Sequence, residues 1–147
     1  MTLDDTDRRL LSLLAENGRL SLKELAAATE LSSPSVAERL RKLEERGVID
    51  AFTIDVNART LGYTLQAIVR VRPMPGQLHI VERLIQEMPQ CVECDKVTGD
   101  DCFIARLHLR SMEELDMLLD GIAERAQTNT SIVKSTPVKR RLPAFLP

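Results

Sequence analysis

The sequence predicts an α+β chain in which a winged-helix-like helix-turn-helix domain precedes a ferredoxin-like βαββαβ domain. Three observations predict it. The first fifty of the 147 residues hold three amphipathic helical segments, the first opening on carboxylates, the second on a capping box and the third on Ser32 or Ser33 as cap. A short turn separates the second and third. The remainder twice reads strand, helix, strand, the order of the split βαβ unit. Apolar residues make up 44% and charged residues 29%, enough to build buried cores in either part.

The first helix runs from Asp4 to Asn17, with Leu10, Leu11 and Leu14 at helical spacing. Asp4, Asp5 and Asp7 lie in its first turn, where carboxylates suit the helix dipole, and Asn17-Gly18 stops it. Ser21-Leu22-Lys23-Glu24 is a capping box that starts the second helix, which ends near Thr29. After the turn at Glu30-Leu31-Ser32, a third helix tolerates Pro34 in its first turn and stops at Gly47. Val36, Leu40 and Leu43 share one face of it, leaving Ser35, Glu38, Arg39 and Lys42 elsewhere on its surface.

Short hydroxyl residues at the start of the third helix, Ser33 and Ser35, permit close approach to a major groove. Further along, the long cations Arg39 and Lys42 reach phosphates or guanine edges, and Glu38 stands beside them as a further DNA-binding candidate. Taken alone, the helix is equally well a surface element whose charges pair, since Glu38 with Lys42 and Arg41 with Glu45 are i,i+4 neighbours. The order of elements favours DNA, because Val48-Ile49 leads into an alternating strand at Ala51-Phe52-Thr53-Ile54. The formal charge of −2 gives no support, although screening over about 8 Å lets a local basic surface act within an acidic protein.

The residues 51–62 read as a strand and connector between a 1–50 domain and a 63–147 domain. In the latter, Gln66 to Arg72 forms a strand, Pro73-Met74-Pro75-Gly76 a turn, and Ile80, Val81, Leu84, Ile85 and Met88 a helix ended by Pro89. Val92 to Thr98 forms a second strand. Phe103, Ala105, Leu107 and Leu109 alternate on a third, and Ser111-Met112-Glu113-Glu114 caps a second helix bearing Leu115, Leu118, Leu119 and Ile122. Ser131 to Val138 is the expected last strand. With both helices on one face, apolar residues of the first strand are expected to remain on the open side, a patch suited to a symmetric homodimer.

The Thr98-Gly99-Asp100-Asp101 turn offers amides, a hydroxyl and two carboxylates, groups that take both ends of a free amino acid. Its spacing is also that of an ordinary Gly-Asp β-turn. Cys91-Val92-Glu93-Cys94 is a C-x-x-C, but on a regular strand residues three apart face opposite ways, so no metal site is expected from it. Three cysteines without an export signal indicate reduced thiols. No phosphate loop, nucleophile elbow or His–carboxylate motif occurs, so neither an enzyme nor a cofactor is expected. No segment approaches the roughly 20 apolar residues that span a bilayer, so no membrane is expected as a partner and the cytoplasm is the expected location.

Leu3-Asp4, Asp7, Asn17-Gly18-Arg19, Glu24-Leu25-Ala26, Leu31-Ser32, Val36 and above all Arg39-Leu40-Arg41-Lys42-Leu43-Glu44-Glu45-Arg46-Gly47-Val48-Ile49 resemble the leucine-responsive and asparagine regulator (Lrp/AsnC, feast/famine) family. The resemblance covers essentially the whole chain. It implies a transcription factor that binds double-stranded DNA and takes a small-molecule effector, an amino acid. It further implies homodimers assembled into a higher oligomer, an octamer. It nominates Gly99, Asp100 and Asp101, with Ser135 and Thr136 on the last strand, as effector-binding residues. A common family form of the turn, T-G-D-Y-D, reads Thr98-Gly99-Asp100-Asp101-Cys102 here. The competing reading is an amino-acid-sensing oligomer whose helices contact protein, distinguished by binding that ignores salt.

Overall fold

A computed structural model describes residues 3–145; the outermost residues of the 1–50 and 63–147 ranges therefore lie outside the described residues. The chain forms two compact units, one of residues up to Asp55 together with those from Lys139 on, the other Val56–Val138.

In the first unit, α1 (Asp5–Glu16), α2 (Leu22–Thr29) and α3 (Ser33–Glu45) are each started by a side-chain cap. Asp4 Oδ1 accepts from the Asp7 amide at 2.7 Å, and Ser32 Oγ accepts from the Ser35 amide at 3.3 Å. At α2 the capping box is complete, because Glu24 also accepts from the Ser21 amide. Such caps satisfy amides that have no intrahelical partner, and each contributes about 1 kcal/mol. Glu30 ends α2 in the left-handed conformation (φ 58°), which turns the chain sharply into α3. Leu10, Leu25, Ala26 and Val36 form the core, with Leu13, Leu14, Leu20, Leu31 and Leu40 packed around them.

The strand expected at Ala51–Ile54 is not formed. Residues 51–57 are irregular, and Phe52, Ile54 and Val56 stand exposed at alternate positions. The alternation is a strand pattern, but a strand forms only against a second one, and none stands there among the described residues.

The second unit is a four-stranded antiparallel sheet in the order β2-β3-β1-β4, with β1 Leu65–Pro73, β2 Cys91–Lys96, β3 Phe103–Leu109 and β4 Ala126–Ile132. Two helices, α4 (Leu78–Gln86) and α5 (Met112–Asp120), contribute Val81, Ile85 and Leu115 to one core with Ala67, Val69, Val71, Phe103, Ala105, Leu107 and Leu109. This is the expected ferredoxin-like βαββαβ topology. Ser111 caps α5, but Glu114 reaches past it to accept from the Arg110 amide at 2.7 Å and from Gln90 at 3.0 Å. Those bonds hold its carboxyl below the usual range.

Three expectations change here. The last strand is Ala126–Ile132, not Ser131–Val138, so Ser135 and Thr136 lie in irregular chain beyond it. Its polar Gln127, Asn129 and Ser131 pair with Arg72, Arg70 and Ile68 of β1, which hid the strand from an apolar pattern. Secondly, Ala67, Val69 and Val71 share one parity and all face the helices. The open side of β1 carries Gln66, Ile68, Arg70 and Arg72, so the expected apolar patch is instead a mixed polar surface containing Ile68 and Ile104.

The third change concerns the cysteines. A bulge lies between Cys91 and Glu93, so that Cys91 is opposite Leu107 and Cys94 opposite Ala105. Leu107 and Ala105 both face the helices, and the extra residue, Val92, therefore brings both cysteines to that same side.

Candidate nucleic-acid interface and effector turn

The α3 surface is built from its own charges and from α1. Arg39 Nη1 donates to Asp4 Oδ2 at 2.7 Å and to Asp7 Oδ1 at 2.8 Å, which ties the middle of α3 to the first turn of α1. Asp7 is the one buried charged residue among the described residues, 6% exposed. The guanidinium holds the Asp4 carboxyl further below its ordinary value, after the Asp7 amide that is the larger cause. Both carboxylates in turn raise the pKa of Arg39. The remaining nitrogens of Arg39, Nε and Nη2, hold no partner among the described residues.

On the exposed side of α3, Glu38 takes a two-pronged hydrogen bond from Arg41, Nε at 2.9 Å and Nη2 at 2.7 Å, with Lys42 Nζ at 3.5 Å. Arg41 also pairs with Glu45. The Arg41 guanidinium lowers the Glu38 carboxyl to about 2, so it is ionised throughout the physiological range. The i,i+4 pairs foreseen from sequence are therefore formed.

Ser35, Glu38, Arg39 and Lys42 line one open cleft of about 560 Å³ together with Asp4, Asp7, Pro34 and Arg46. Ser33 is half-buried at the helix start and is not part of its lining. Sequence reading missed Asp4 and Asp7 as partners of α3. Their i,i+3 spacing at a helix start was visible, but which cation they hold depends on how α1 meets α3.

In the second unit, the Gly99 backbone sits at φ 104°, a conformation open to glycine, so the turn after β2 depends on it. Asp100 and Asp101 project toward Arg72 at the end of β1, with Asp100 Oδ2 3.7 Å and Asp101 Oδ1 3.5 Å from its guanidinium. Arg72 and Asp100 are exposed and Asp101 is half-buried, with 49%, 88% and 42% of the Arg72, Asp100 and Asp101 side chains accessible. The structure thus brings together Gly99, Asp100, Asp101 and an arginine that sequence reading did not nominate. The signal was its place one residue beyond Val71, which pairs with Phe103 at the start of β3. Ser135 and Thr136 make no hydrogen bond or ion pair with this turn among the described residues.

The cysteine pair borders a separate cleft of about 270 Å³ lined by Glu82, Ile85, Lys96 and Phe103 among others. Among the described residues, no group of three or more His, Cys, Asp and Glu is placed to hold a metal ion. Surrounding protein, then the charges of Cys91, Asp95 and Glu82, push the Cys94 thiol up to about 11. Its alkylation by iodoacetamide is accordingly expected to keep accelerating from pH 7 past pH 9, because the attacking thiolate is still a minor species there. A rate that levels off near pH 8.5 would contradict this environment.

Two domain families match the chain: winged helix-turn-helix DNA-binding over residues 3–50, and the Lrp/AsnC ligand binding domain over 66–143. Among similar proteins, the HTH-type transcriptional regulator FL11 of Pyrococcus furiosus is 33% identical over 134 residues, 89% of either chain. The regulator LrpC of Bacillus subtilis is 30% identical over 92% of this chain and 94% of its own. Its solved structure superposes with a TM-score of 0.88 over 95% of this chain and all of that one. A feast or famine regulatory protein of M. tuberculosis, solved with L-methionine, gives 0.88 at 30% identity, covering 97% and 99%. No helix among the described residues is long and apolar enough to cross a membrane. With helix-turn-helix and ligand domain in this order and relatives matched along nearly their full length, the chain belongs to the Lrp/AsnC family of transcriptional regulators, not to a family of enzymes.

Proposed function

We propose that this chain binds double-stranded DNA through α3 as a homodimer, and that an amino acid at the Gly99-Asp100-Asp101 turn modulates assembly and DNA binding. The observation that carries this reading is the match of one chain to both domain families, in the order DNA-binding then ligand-binding. Residues 1–50 serve as the DNA domain, 51–62 as the connector and 63–138 as the effector and oligomerisation domain, the chain from Lys139 on belonging to the helical unit and not, as the sequence suggested, to the effector domain.

On DNA, phosphates compete for Arg41 and Lys42 and free Glu38, whose carboxylate can accept from a cytosine amino group. Ser33 and Ser35 allow the helix start to approach the groove, and Arg39 offers Nε and Nη2 to a phosphate while Nη1 stays on α1. A dimer presents two such helices about one DNA turn, or roughly 34 Å, apart. The exposed alternation of Phe52, Ile54 and Val56 supports a second copy, since the same segment of a partner supplies the missing strand. Four dimers make the octamer implied by the family.

At the turn, Asp100 and Asp101 receive the ammonium of the effector and Arg72 its carboxylate. L-Methionine is the first probe to try, because relatives from M. tuberculosis and Neisseria meningitidis were solved with it. Ser135 and Thr136 remain candidates through a neighbouring copy.

Gel shift of the gene's own upstream DNA, read beside solution mass, tests this reading. Binding is expected to weaken steeply between 50 and 200 mM salt, on the order of 10³-fold or more for six or more phosphate contacts. A mass of at least two chains is expected, altered by the amino acid. Salt-insensitive binding would favour helices that contact protein.

A further inference from the structure

We propose that the basic run Lys139-Arg140-Arg141 is a second DNA-contacting element, which grips the phosphate backbone beside the helix-turn-helix. The inference rests on the DNA-binding reading above. It begins with charge. Residues 1–55 hold 8 Lys and Arg against 11 Asp and Glu, a net −3, which phosphate repels. Residues 139–147 contain three cations and no acid, and bring the unit to zero.

Placement agrees with charge. From Lys139 on, the chain belongs to the same compact unit as α1, α2 and α3, although the ligand-domain match extends to residue 143. All three side chains are exposed, on backbone without helix or strand. None has an ion-pair or hydrogen-bond partner among the described residues. Arg39, Arg41 and Lys42 on α3, by contrast, each face a carboxylate and must share it with any phosphate they meet.

An unpaired cation releases a DNA counterion without giving up a protein partner, so the tail contributes more affinity per charge than α3. Pro137 and Pro143 bracket the run and restrict its backbone, which lowers the entropy lost when it settles along a strand. The contact is to phosphate and carries no sequence preference.

The test compares the full chain with the K139Q/R140Q/R141Q variant on its own upstream duplex and on an unrelated duplex of equal length, from 50 to 200 mM KCl. The slope of log K against log salt is expected to become shallower by about 2.7 per chain, three phosphates at about 0.9 each, and so by about 5.4 for a bound dimer. Affinity should fall by the same factor on both duplexes, and the charge-retaining R140K/R141K variant should keep the wild-type slope. An unchanged slope in the glutamine variant, or a loss confined to the upstream duplex, would overturn the inference. If the wild-type chain itself shows no salt-dependent binding, the DNA-binding reading fails with it.

Discussion

Replacing Arg39 by alanine is expected to lower the stability of the helical unit by about 2–3 kcal/mol, the range for losing hydrogen bonds to a charged group that stays buried. The reason is Asp7. Its side chain is 9% exposed and receives the Arg39 guanidinium at 2.8 Å, so the alanine variant leaves a negative charge largely withdrawn from water with no cation opposite it. In a unit this small, such a loss lowers the melting midpoint by roughly 10 °C or more. DNA binding should fall too, because α3 is no longer pinned to the first turn of α1. Arg39→Lys should recover only part of the loss, since an ammonium does not reproduce the orientation of the guanidinium.

A double-mutant cycle with Asp7→Ala separates clamp from contact. A coupling of 1 kcal/mol or more identifies the clamp, whereas unchanged stability with lost DNA binding would make Arg39 solely a DNA ligand. The pH dependence has a definite sign. Asp4 shares the guanidinium, and its folded pKa lies below 3.8. Its share of the advantage of wild type over R39A is therefore present above pH 3.8 and disappears as pH falls through that lowered value.

Local signals were the most legible part of the sequence. The capping serines Ser21 and Ser111 are set by contacts within four residues, and both cap their helices in the structure. The β1 and β3 strands were readable because one face is buried and the other is not, which prints period two on the sequence. β4 was misplaced because its inward positions after Ala126 are Thr128 and Thr130, which no apolar template selects. The bulge at Cys91–Glu93 was invisible because an extra residue is defined by the partner strand, not by the residues inserted.

The sites divide along the same line. Ser35, Glu38, Arg39 and Lys42 line one cleft because helical geometry alone puts them within two turns, while Ser33, named with them from the sequence, does not line it. What each of them holds was partly hidden. The Glu38–Lys42 and Arg41–Glu45 pairs follow from i,i+4 spacing, but the Arg39 clamp spans more than thirty residues of sequence. Arg72 was missed for the same reason. It stands nearly thirty residues before Asp100, and only the antiparallel pairing of β1 with β3 brings it to the turn.

That arginine makes the effector turn a charged clasp, and its disruption is the second large effect expected. Arg72 lies 3.7 Å from Asp100 and 3.5 Å from Asp101, distances of loose ion pairs open to water. A free amino acid carries both charges of such a pair, so it can exchange the internal contacts for its own carboxylate on Arg72 and its ammonium on Asp100. Charge-assisted bonds of this kind are about twice as strong as neutral ones. Arg72→Ala and Asp100→Ala should each therefore weaken binding of an effective L-amino acid by at least about tenfold, or 1.4 kcal/mol, in calorimetry. The des-amino acid should mimic the Asp100 loss on wild-type protein, and the decarboxylated amine the Arg72 loss. DNA affinity without effector should remain within about twofold, because Arg72 and Asp100 belong to Val56–Val138 and α3 to the other unit. If Asp100→Ala weakens binding while Arg72→Ala does not, the effector carboxylate is held by the turn amides around Gly99 instead, and the arginine serves only to position the turn.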